Sequence, residues 1–145
     1  MPEEMDTQPL IQALWKAEKA CYLPLVPASK EQELRFARYD EETQLRLNRY
    51  KILEPEKVTE ELSGSQLEVV LLPLVAFDGA GNRLGTGGGY YDRTFSFMLN
   101  PEAAQKKKPH LLGLAYELQR VEAIPKEIFD VPLEGVITEE GIHIF

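Results

Sequence analysis

The sequence has little of what secreted and membrane proteins depend on. It contains a single cysteine, Cys21, so no disulfide can form within the chain. No apolar run is long enough to span a bilayer, and no secretory signal is evident. These absences exclude a disulfide-rich scaffold, and they lead us to expect a cytoplasmic protein with no membrane partner.

Positive charge is also scarce. The 16 lysines and arginines are outnumbered by 24 aspartates and glutamates, which gives a formal net charge of −8. Because nucleic acids and membrane surfaces bind basic faces, we expect neither as a partner. An anionic small molecule would need a local group of cations. With 145 residues, 43% of them hydrophobic, the chain is long enough for a real core, and we expect one globular domain over residues 1–145.

Glycine, in contrast, is concentrated between Phe77 and Arg93. That stretch holds Gly85, Gly87, Gly88 and Gly89 in close succession. A glycine loop can adopt positive φ angles and bring its N–H groups against a ligand with no side chain in the way, and phosphate is the usual ligand of such a loop. Arg83 and Arg93 flank the loop with planar guanidinium groups suited to phosphoryl oxygens.

Asp92 makes the prediction more specific. A carboxylate is a poor neighbour for a phosphate unless a cation lies between them, and Mg²⁺ is the ion that carboxylates share with substrate phosphates. The stretch therefore predicts a site for nucleotide phosphates and Mg²⁺. The Walker motif is absent, and the dinucleotide motif fails because Tyr90 stands where its third glycine belongs. The alternative is a flexible glycine hairpin that binds nothing.

Hydrophobic patterns predict alternating helices and strands. The expected elements are a helix from about Gln8 to Lys19, a buried strand from Cys21 to Val26, a weak strand from Leu34 to Tyr39, a loop at Tyr50–Pro55, a central strand from Leu67 to Phe77 with Pro73 marking its C-terminal end, a helix from Tyr90 to Leu99, a strand from His110 to Tyr116, and a hairpin of Val136–Thr138 with Ile142–Phe145. This order indicates an α/β fold with a mainly parallel sheet. It places the glycine loop beyond the carboxyl end of a central strand, where such sheets bind ligands.

Two of the residue types often used in catalysis look structural. Cys21 fits as a small hydrophobic residue of its strand, with a reactive thiol as the alternative. His143 alternates with Ile142 and Ile144, so we expect it to face solvent, and His110 is expected at a strand edge.

Phe95 and Leu99, four residues apart, are expected to share one buried helix face.

The segment Asn82–Arg93, with sequence NRLGTGGGYYDR, resembles the signature of the 5-formyltetrahydrofolate cyclo-ligases, also called methenyltetrahydrofolate synthetases. The resemblance runs from Glu4 to the C-terminus. It also includes Tyr50–Pro55, Leu72–Pro73 before Ala76–Asp78, Leu112–Tyr116 with Gln119, Asp130–Leu133 and Val136–Thr138. It implies a three-layer, Rossmann-like architecture shared with sugar-phosphate isomerases and CoA transferases.

The resemblance also implies a reaction. Enzymes of this family use ATP to convert 5-formyltetrahydrofolate to 5,10-methenyltetrahydrofolate, and they release ADP and phosphate. The expected ligands are therefore ATP, 5-formyltetrahydrofolate and Mg²⁺, and the expected assembly is a monomer or weak oligomer.

The resemblance also implies residue roles, by position along the chain. Arg83 and Asp92 are the expected catalytic residues, and Asp92 with Asp130 are the expected Mg²⁺ ligands. ATP is expected to contact Arg83, Leu84, Gly85, Thr86, Gly87, Gly88, Gly89, Tyr90 and Tyr91. The folate is expected to contact Glu4, Tyr50, Thr86, Gly87, Gly88, Gly89 and Tyr90.

Family members carry a further N-terminal segment before the position of Glu4, and its basic residues reach the ATP phosphates. Met1 lies only three positions before Glu4 here. We therefore expect weak or absent cyclisation by this polypeptide alone. Two alternatives stay open. One is a folate- or nucleotide-binding module without turnover, and the other is a sugar-phosphate isomerase relative that needs no ATP.

Overall fold

The computed structural model describes residues 6–29, 31–85, 89–100, 102 and 108–145. Within these ranges two α-helices, α1 (Gln8–Lys16) and α2 (Tyr90–Thr94), accompany eleven strands. The strands are β1 (Tyr22–Leu25), β2 (Arg35–Arg38), β3 (Leu45–Leu47), β4 (Leu53–Pro55), β5 (Glu61–Ser63), β6 (Val69–Pro73), β7 (Ala76–Phe77), β8 (Arg83–Leu84), β9 (His110–Leu114), β10 (Gly135–Thr138) and β11 (Gly141–Ile144). Short 3₁₀ helices span Gly64–Gln66, Ser96–Leu99 and Glu117–Gln119. The expected α/β class is confirmed.

The largest sheet has the order β11-β10-β9-β6 and is mixed. Strands β6, β9 and β10 run parallel, and β11 returns antiparallel to β10 in the expected C-terminal hairpin. In the register, Leu72 lies beside Gly113, which in turn lies beside Val136. Parallel β6 and β9 therefore end at the same edge of the sheet, and the segments that follow them start near each other.

The expectation of a central strand from Leu67 to Phe77 is wrong. β6 ends at Pro73, as the proline indicated, and it lies at one end of the described sheet. The chain then turns, because the Val75 N–H donates to the Leu84 carbonyl at 2.7 Å. Ala76 and Phe77 consequently pair with β8 in a separate two-stranded hairpin.

The two faces of the largest sheet differ in burial. One face carries the core residues Val70, Leu72, Leu111 and Val136. The other face is also apolar, but Val69 is 54% exposed and Ile142 is 66% exposed. This outer face is formed by Val69, Leu71, Leu112, Leu114, Ile137, Ile142 and Ile144.

His143 does not face solvent as expected. Its ring turns toward the 3₁₀ helix Glu117–Gln119, and its Nε2 atom lies 3.7 Å from Glu117 Oε2. The isoleucines on either side of it, Ile142 and Ile144, are the exposed residues of β11. The alternation of side chains along β11 was predicted correctly, but the structure reverses which residues lie on the more exposed face.

A second, antiparallel sheet has the order β1-β2-β5. Helix α1 packs against this side of the molecule through Trp15, whose Nε1–H donates to the Tyr39 carbonyl at 2.9 Å. The α2 segment links to the same sheet, because Thr94 Oγ1 accepts the Leu34 N–H at 2.9 Å. Phe95, fully buried, lies 6.2 Å from Phe36 between ring centroids. The C-terminal end of α2 is thus fixed against the β1-β2-β5 sheet by a hydrogen bond and by aromatic packing.

Several boundaries differ from expectation for local reasons. α1 ends at Lys16 because Glu18 adopts a positive φ of 60°, which ends the helix before Lys19. β1 is antiparallel and half-buried rather than fully buried. The second helix ends at Thr94 and continues as the 3₁₀ turn Ser96–Leu99, so Leu99 is exposed while Phe95 is buried.

The segment expected as a loop around Tyr50–Pro55 is partly a strand. β3 and β4 pair antiparallel, with Leu47 opposite Leu53. The connecting turn places Lys51 at a φ of 61°. No helix in the described ranges is long and apolar enough to cross a membrane.

Candidate active site

The β7–β8 hairpin delivers the first residues of the site. The Asp78 N–H donates to the Asn82 carbonyl at 3.0 Å, and Gly81 supplies the positive φ of 87° that the turn requires. The Asp78 carboxylate is buried and accepts the N–H groups of Ala80 and Asn82 at 2.9 and 3.0 Å. The turn therefore fixes the direction in which the chain enters β8, whose first residue is Arg83.

Gly89 opens α2 at the far end of the glycine loop. It has φ 67° and ψ 11°, a left-handed conformation that side-chain-bearing residues adopt at a cost. A Cβ atom built on Gly89 would lie 2.9 Å from Arg93 Nη1. The left-handed conformation favours glycine here, and any side chain would also displace the end of Arg93. The helix that follows places Asp92 in its first turn.

Arg83 and Asp92 form an ion pair. Arg83 Nη2 donates to Asp92 Oδ1 at 3.0 Å, and the two side chains are only 8% and 23% exposed. The same Oδ1 atom accepts the Val131 N–H at 3.1 Å. Asp92 therefore joins β8, α2 and the segment before β10 at one point. The two expected catalytic residues lie in direct contact.

These residues line a cavity of about 350 Å³. Its walls are formed by Pro73, Arg83, Leu84, Gly85, Gly89, Tyr90, Tyr91, Asp92, Ile124, Pro125, Glu127 and Asp130. Asp130 Oδ2 accepts the Glu127 N–H at 2.9 Å, which fixes the orientation of this second carboxylate. The structure thus brings together every expected ATP and metal residue that it describes.

Not all expected site residues meet there. Tyr50 lines a different cavity, of about 460 Å³, where Arg49 stacks over its ring at 4.8 Å from the centroid. Glu4, Thr86, Gly87 and Gly88 lie outside the described residues.

Four cavity residues were not anticipated from the sequence, namely Pro73, Ile124, Pro125 and Glu127. The segment containing the last three shows no helical or strand periodicity and looked like a plain connection. A signal did exist in the strand order. Segments that follow neighbouring parallel strands meet at one sheet edge, and this segment follows β9 as the glycine loop follows β6.

Two arginines have N–H groups that are buried without a partner among the described residues: Arg83, which lines the cavity, and Arg93, which lies behind the lining residues Gly89 and Tyr90. The unpartnered atoms are Arg83 Nε and the Nε and Nη2 atoms of Arg93. The two guanidinium groups also lie over aromatic rings, Arg83 over Tyr91 at 5.9 Å and Arg93 over Tyr90 at 5.0 Å from the ring centroids. Because a buried donor without an acceptor is costly, this arrangement suits an incoming anion.

A second cluster of titratable groups lies elsewhere. Ligand atoms of Glu117, Glu140 and His143 fall within 4.8 Å of one another. Arg120 Nε donates to Glu117 Oε1 at 2.7 Å, and this hydrogen bond lowers the pKa of the Glu117 carboxyl. The cluster is therefore already supplied with a cation by the chain itself.

Cys21 lies just before β1 and is only partly buried, so it is not the buried strand residue that was expected. Burial raises the pKa of its thiol, and nearby Arg38 offsets only part of that increase. A raised pKa leaves less of the thiolate form at neutral pH, which is the reactive species. The structure gives no support to a nucleophilic role for Cys21.

The comparisons with known proteins all indicate the same family. The model of the 5-formyltetrahydrofolate cyclo-ligase family matches residues 1–139. A 5-formyltetrahydrofolate cyclo-ligase from Escherichia coli is 44% identical over 140 residues, which cover 96% of this chain and 74% of that protein. A mouse protein of the same name is 30% identical over 146 residues, covering 97% of this chain and 70% of the mouse protein.

A solved structure agrees. The NMR structure of 5,10-methenyltetrahydrofolate synthetase from Aquifex aeolicus superposes with a TM-score of 0.75 at 30% identity, covering 99% of this chain and 68% of that one. The glycine-loop motif, the α/β fold and the family match point the same way. This chain belongs to the 5-formyltetrahydrofolate cyclo-ligase family.

Proposed function

We propose that this protein is a cytoplasmic, single-domain ligase that uses ATP and Mg²⁺ to cyclise 5-formyltetrahydrofolate to 5,10-methenyltetrahydrofolate. One observation carries the proposal. Arg83, Asp92 and Asp130 line the same cavity as the described ends of the glycine loop, Gly85 and Gly89. Family membership supplies the reaction, since the E. coli and mouse relatives bear the name of this ligase.

The chain's own groups suit a polyphosphate. The unpartnered N–H atoms of Arg83 and Arg93 supply positive charge in a protein of net charge −8. Gly85 and Gly89 leave room for a ligand to approach the backbone, because neither has a Cβ atom. The rings of Tyr90 and Tyr91 also line the cavity and offer flat surfaces for a base or a pterin.

The carboxylates fit a magnesium ion. Mg²⁺ is bound through one or two carboxylates together with phosphates and water, and Asp92 and Asp130 provide two carboxylates in one cavity. Asp92 Oδ1 is already engaged by Arg83 and Val131, so we assign its Oδ2 atom to the ion. When bound, the ion would neutralise negative charge on the phosphates during transfer.

The chemistry needs positioning more than covalent help from the protein. The formyl oxygen bonds to the γ-phosphorus as the bond to ADP breaks, which turns a poor leaving group into a phosphate ester. N10 then adds to the activated carbon, the carbon–oxygen bond breaks, and phosphate leaves with the N10 proton. In this scheme Arg83 holds the phosphoryl oxygens, and Asp92 keeps Arg83 in place.

A steady-state assay of methenyl product and released phosphate tests the proposal. With Mg²⁺, ATP and 5-formyltetrahydrofolate, we expect product and phosphate in equal amounts, at the low rate expected of this polypeptide alone, and neither when ATP is omitted. Binding of both ligands in calorimetry without phosphate release would instead support a binding module. Product formed without ATP would contradict the proposed chemistry.

Asp92→Asn tests the metal assignment. The amide keeps an oxygen for Arg83 and Val131, so the fold should persist, but the charge that holds Mg²⁺ is lost. We expect turnover to fall by roughly a hundredfold or more, in the range seen when a key electrostatic group is removed. Glu127→Gln is the matched control, since Glu127 lines the same cavity and has no assigned role. Equal losses in the two variants would contradict the assignment.

A further inference from the structure

The buried carboxylate of Asp78 links the turn that precedes Arg83 to Ile124 in the cavity wall through its hydrogen bonds. Asp78 is 3% exposed, and its two oxygens accept four hydrogen bonds. Oδ1 accepts the N–H groups of Ala80 and Asn82 at 2.9 and 3.0 Å. Oδ2 accepts Asn82 Nδ2–H at 3.1 Å and the Ile124 N–H at 2.9 Å.

The two oxygens serve different parts of the molecule. The Oδ1 bonds shape the turn that leads directly into Arg83 on β8. The Oδ2 bond to Ile124 reaches across 46 positions of sequence to the opposite wall, which Ile124 forms with Pro125. A neighbouring contact strengthens the link, since the Val121 N–H donates to the Phe77 carbonyl at 2.8 Å.

Only a carboxylate can make this set of bonds. It presents two acceptor oxygens, whereas an asparagine amide presents one oxygen and would point an NH₂ group at a donor. Asp78 takes part in no ion pair among the described residues, so its charge is held by hydrogen bonds alone. A turn that needed only local closure would not require the second oxygen.

We propose that Asp78 is a positioning residue for the ligase reaction, which holds the Arg83 wall and the Ile124–Pro125 wall at the separation that fits the triphosphate of ATP. This inference rests on the proposed function. It predicts that Asp78 acts through geometry, without touching substrate, and that loosening its Oδ2 bonds weakens ATP binding before it unfolds the protein.

Asp78→Asn is the direct test, and Asp40→Asn is its matched control. Asp40 is also a turn carboxylate, which accepts the Glu42 N–H and the Thr43 hydroxyl at 3.0 and 3.1 Å, but it lies outside the cavity lining. We expect KM for ATP to rise by roughly tenfold or more in Asp78→Asn, since misplaced groups lose binding and rate. We expect no change in KM for ATP in Asp40→Asn, with each variant assayed equally far below its own melting temperature. Equal KM values for both variants would overturn the proposal.

Amide hydrogen exchange gives a readout that needs no ligand. The Val131 N–H donates to Asp92 on the cavity wall, and the hydrogen bonds of Asp78 go to other residues. If Asp78 couples the walls, Asp78→Asn should speed exchange at Val131 as well as at Ile124, and Asp40→Asn should speed neither. Unchanged Val131 exchange would overturn the coupling, even if the wild-type protein proved unable to turn over substrate.

A gentler variant covers the case in which Asp78→Asn fails to fold. Asn82→Ala removes one donor to Oδ2 and leaves the backbone N–H bonds of the turn in place. We expect KM for ATP to rise about threefold, the scale of a single lost hydrogen bond. A folded Asn82→Ala protein with wild-type KM and wild-type Val131 exchange would reject the proposal. Absence of ATP turnover and ATP binding in the wild-type protein would instead reject the proposed function.

Discussion

Gly89 occupies a position where a side chain is disfavoured by a φ of 67° and would displace the flexible end of Arg93, whose Nη1 atom lies 2.9 Å from a built Cβ atom. We expect Gly89→Ala to lower stability by about 1–2 kcal/mol from the left-handed conformation alone, and to weaken ATP binding as Arg93 shifts. Gly79→Ala is the control, since nothing lies within 4 Å of its built Cβ atom. It should change stability by no more than about 0.5 kcal/mol. Thermal unfolding and ATP titration of both variants check the contrast, and equal effects would contradict it.

The lowered pKa of the Asp78 carboxyl predicts that the stability of the protein depends on pH. Burial alone would raise the pKa of its carboxyl, but hydrogen bonds from Asn82, Ile124 and Ala80 together lower it below the usual range. Because the folded-state pKa is below the unfolded value of about 3.9, the stabilisation is complete above that pH and is lost as pH falls through the folded pKa.

Asp78→Asn should therefore cost about 1–3 kcal/mol at pH 7, the scale of a buried polar group left without its partners. The difference in unfolding free energy from wild type should shrink as pH falls below about 4 toward the folded pKa of Asp78. Urea unfolding across that range measures the difference. A constant gap would mean that the Asp78 carboxylate does not titrate with folding.

Which site residues were predictable from the sequence depended on motif strength. Arg83, Gly89 and Asp92 were anticipated because a long motif fixes their types and spacing, and Asp130 was anticipated from the wider resemblance; the structure places all four in one cavity. The ion pair between Arg83 and Asp92 was not anticipated, because sequence spacing does not say which side chains touch. Tyr50 was assigned by resemblance alone, and the structure places it in another cavity.

The strands of the largest sheet were likewise predictable only in part from the sequence. β9, β10 and β11 were anticipated within one or two residues because their apolar residues are bounded by turns. The placement of β6 failed because an unbroken apolar run indicates burial on both faces, whereas this strand has an exposed apolar face. Local sequence cannot show which strands become edges, since that depends on pairing between distant segments.

The two faces of the β10–β11 hairpin predict opposite mutational responses. Val136 is 0% exposed, so Val136→Ala should lower stability by about 2 kcal/mol through lost burial and a residual cavity. Ile142 is mostly exposed on the outer face, so Ile142→Ala should change stability by no more than about 0.5 kcal/mol. Urea unfolding of the two variants tests the contrast. A large loss in Ile142→Ala would show that the outer face is covered in solution.

Ligand binding should be measurable as an increase in the stability of the whole molecule. A ligand that binds only the folded state at a hundred times its dissociation constant stabilises a protein by about 2.7 kcal/mol. We expect ATP with Mg²⁺ to raise the melting temperature accordingly, and we expect EDTA to remove most of the increase because the phosphates then lack their counter-ion. An increase that persists in EDTA would separate ATP binding from the metal.

The order in which the chain is synthesised bears on when the cavity can exist. Arg83 and Asp92 come from one wall, whereas Ile124 and Asp130 come from a wall encoded some forty positions later. The hydrogen bond between Asp78 and Ile124 cannot form until that later segment has left the ribosome. A nascent chain halted after β9 would carry Arg83 and Asp92 without the wall that Ile124 and Asp130 form, so the cavity is complete only after that later segment has been synthesised.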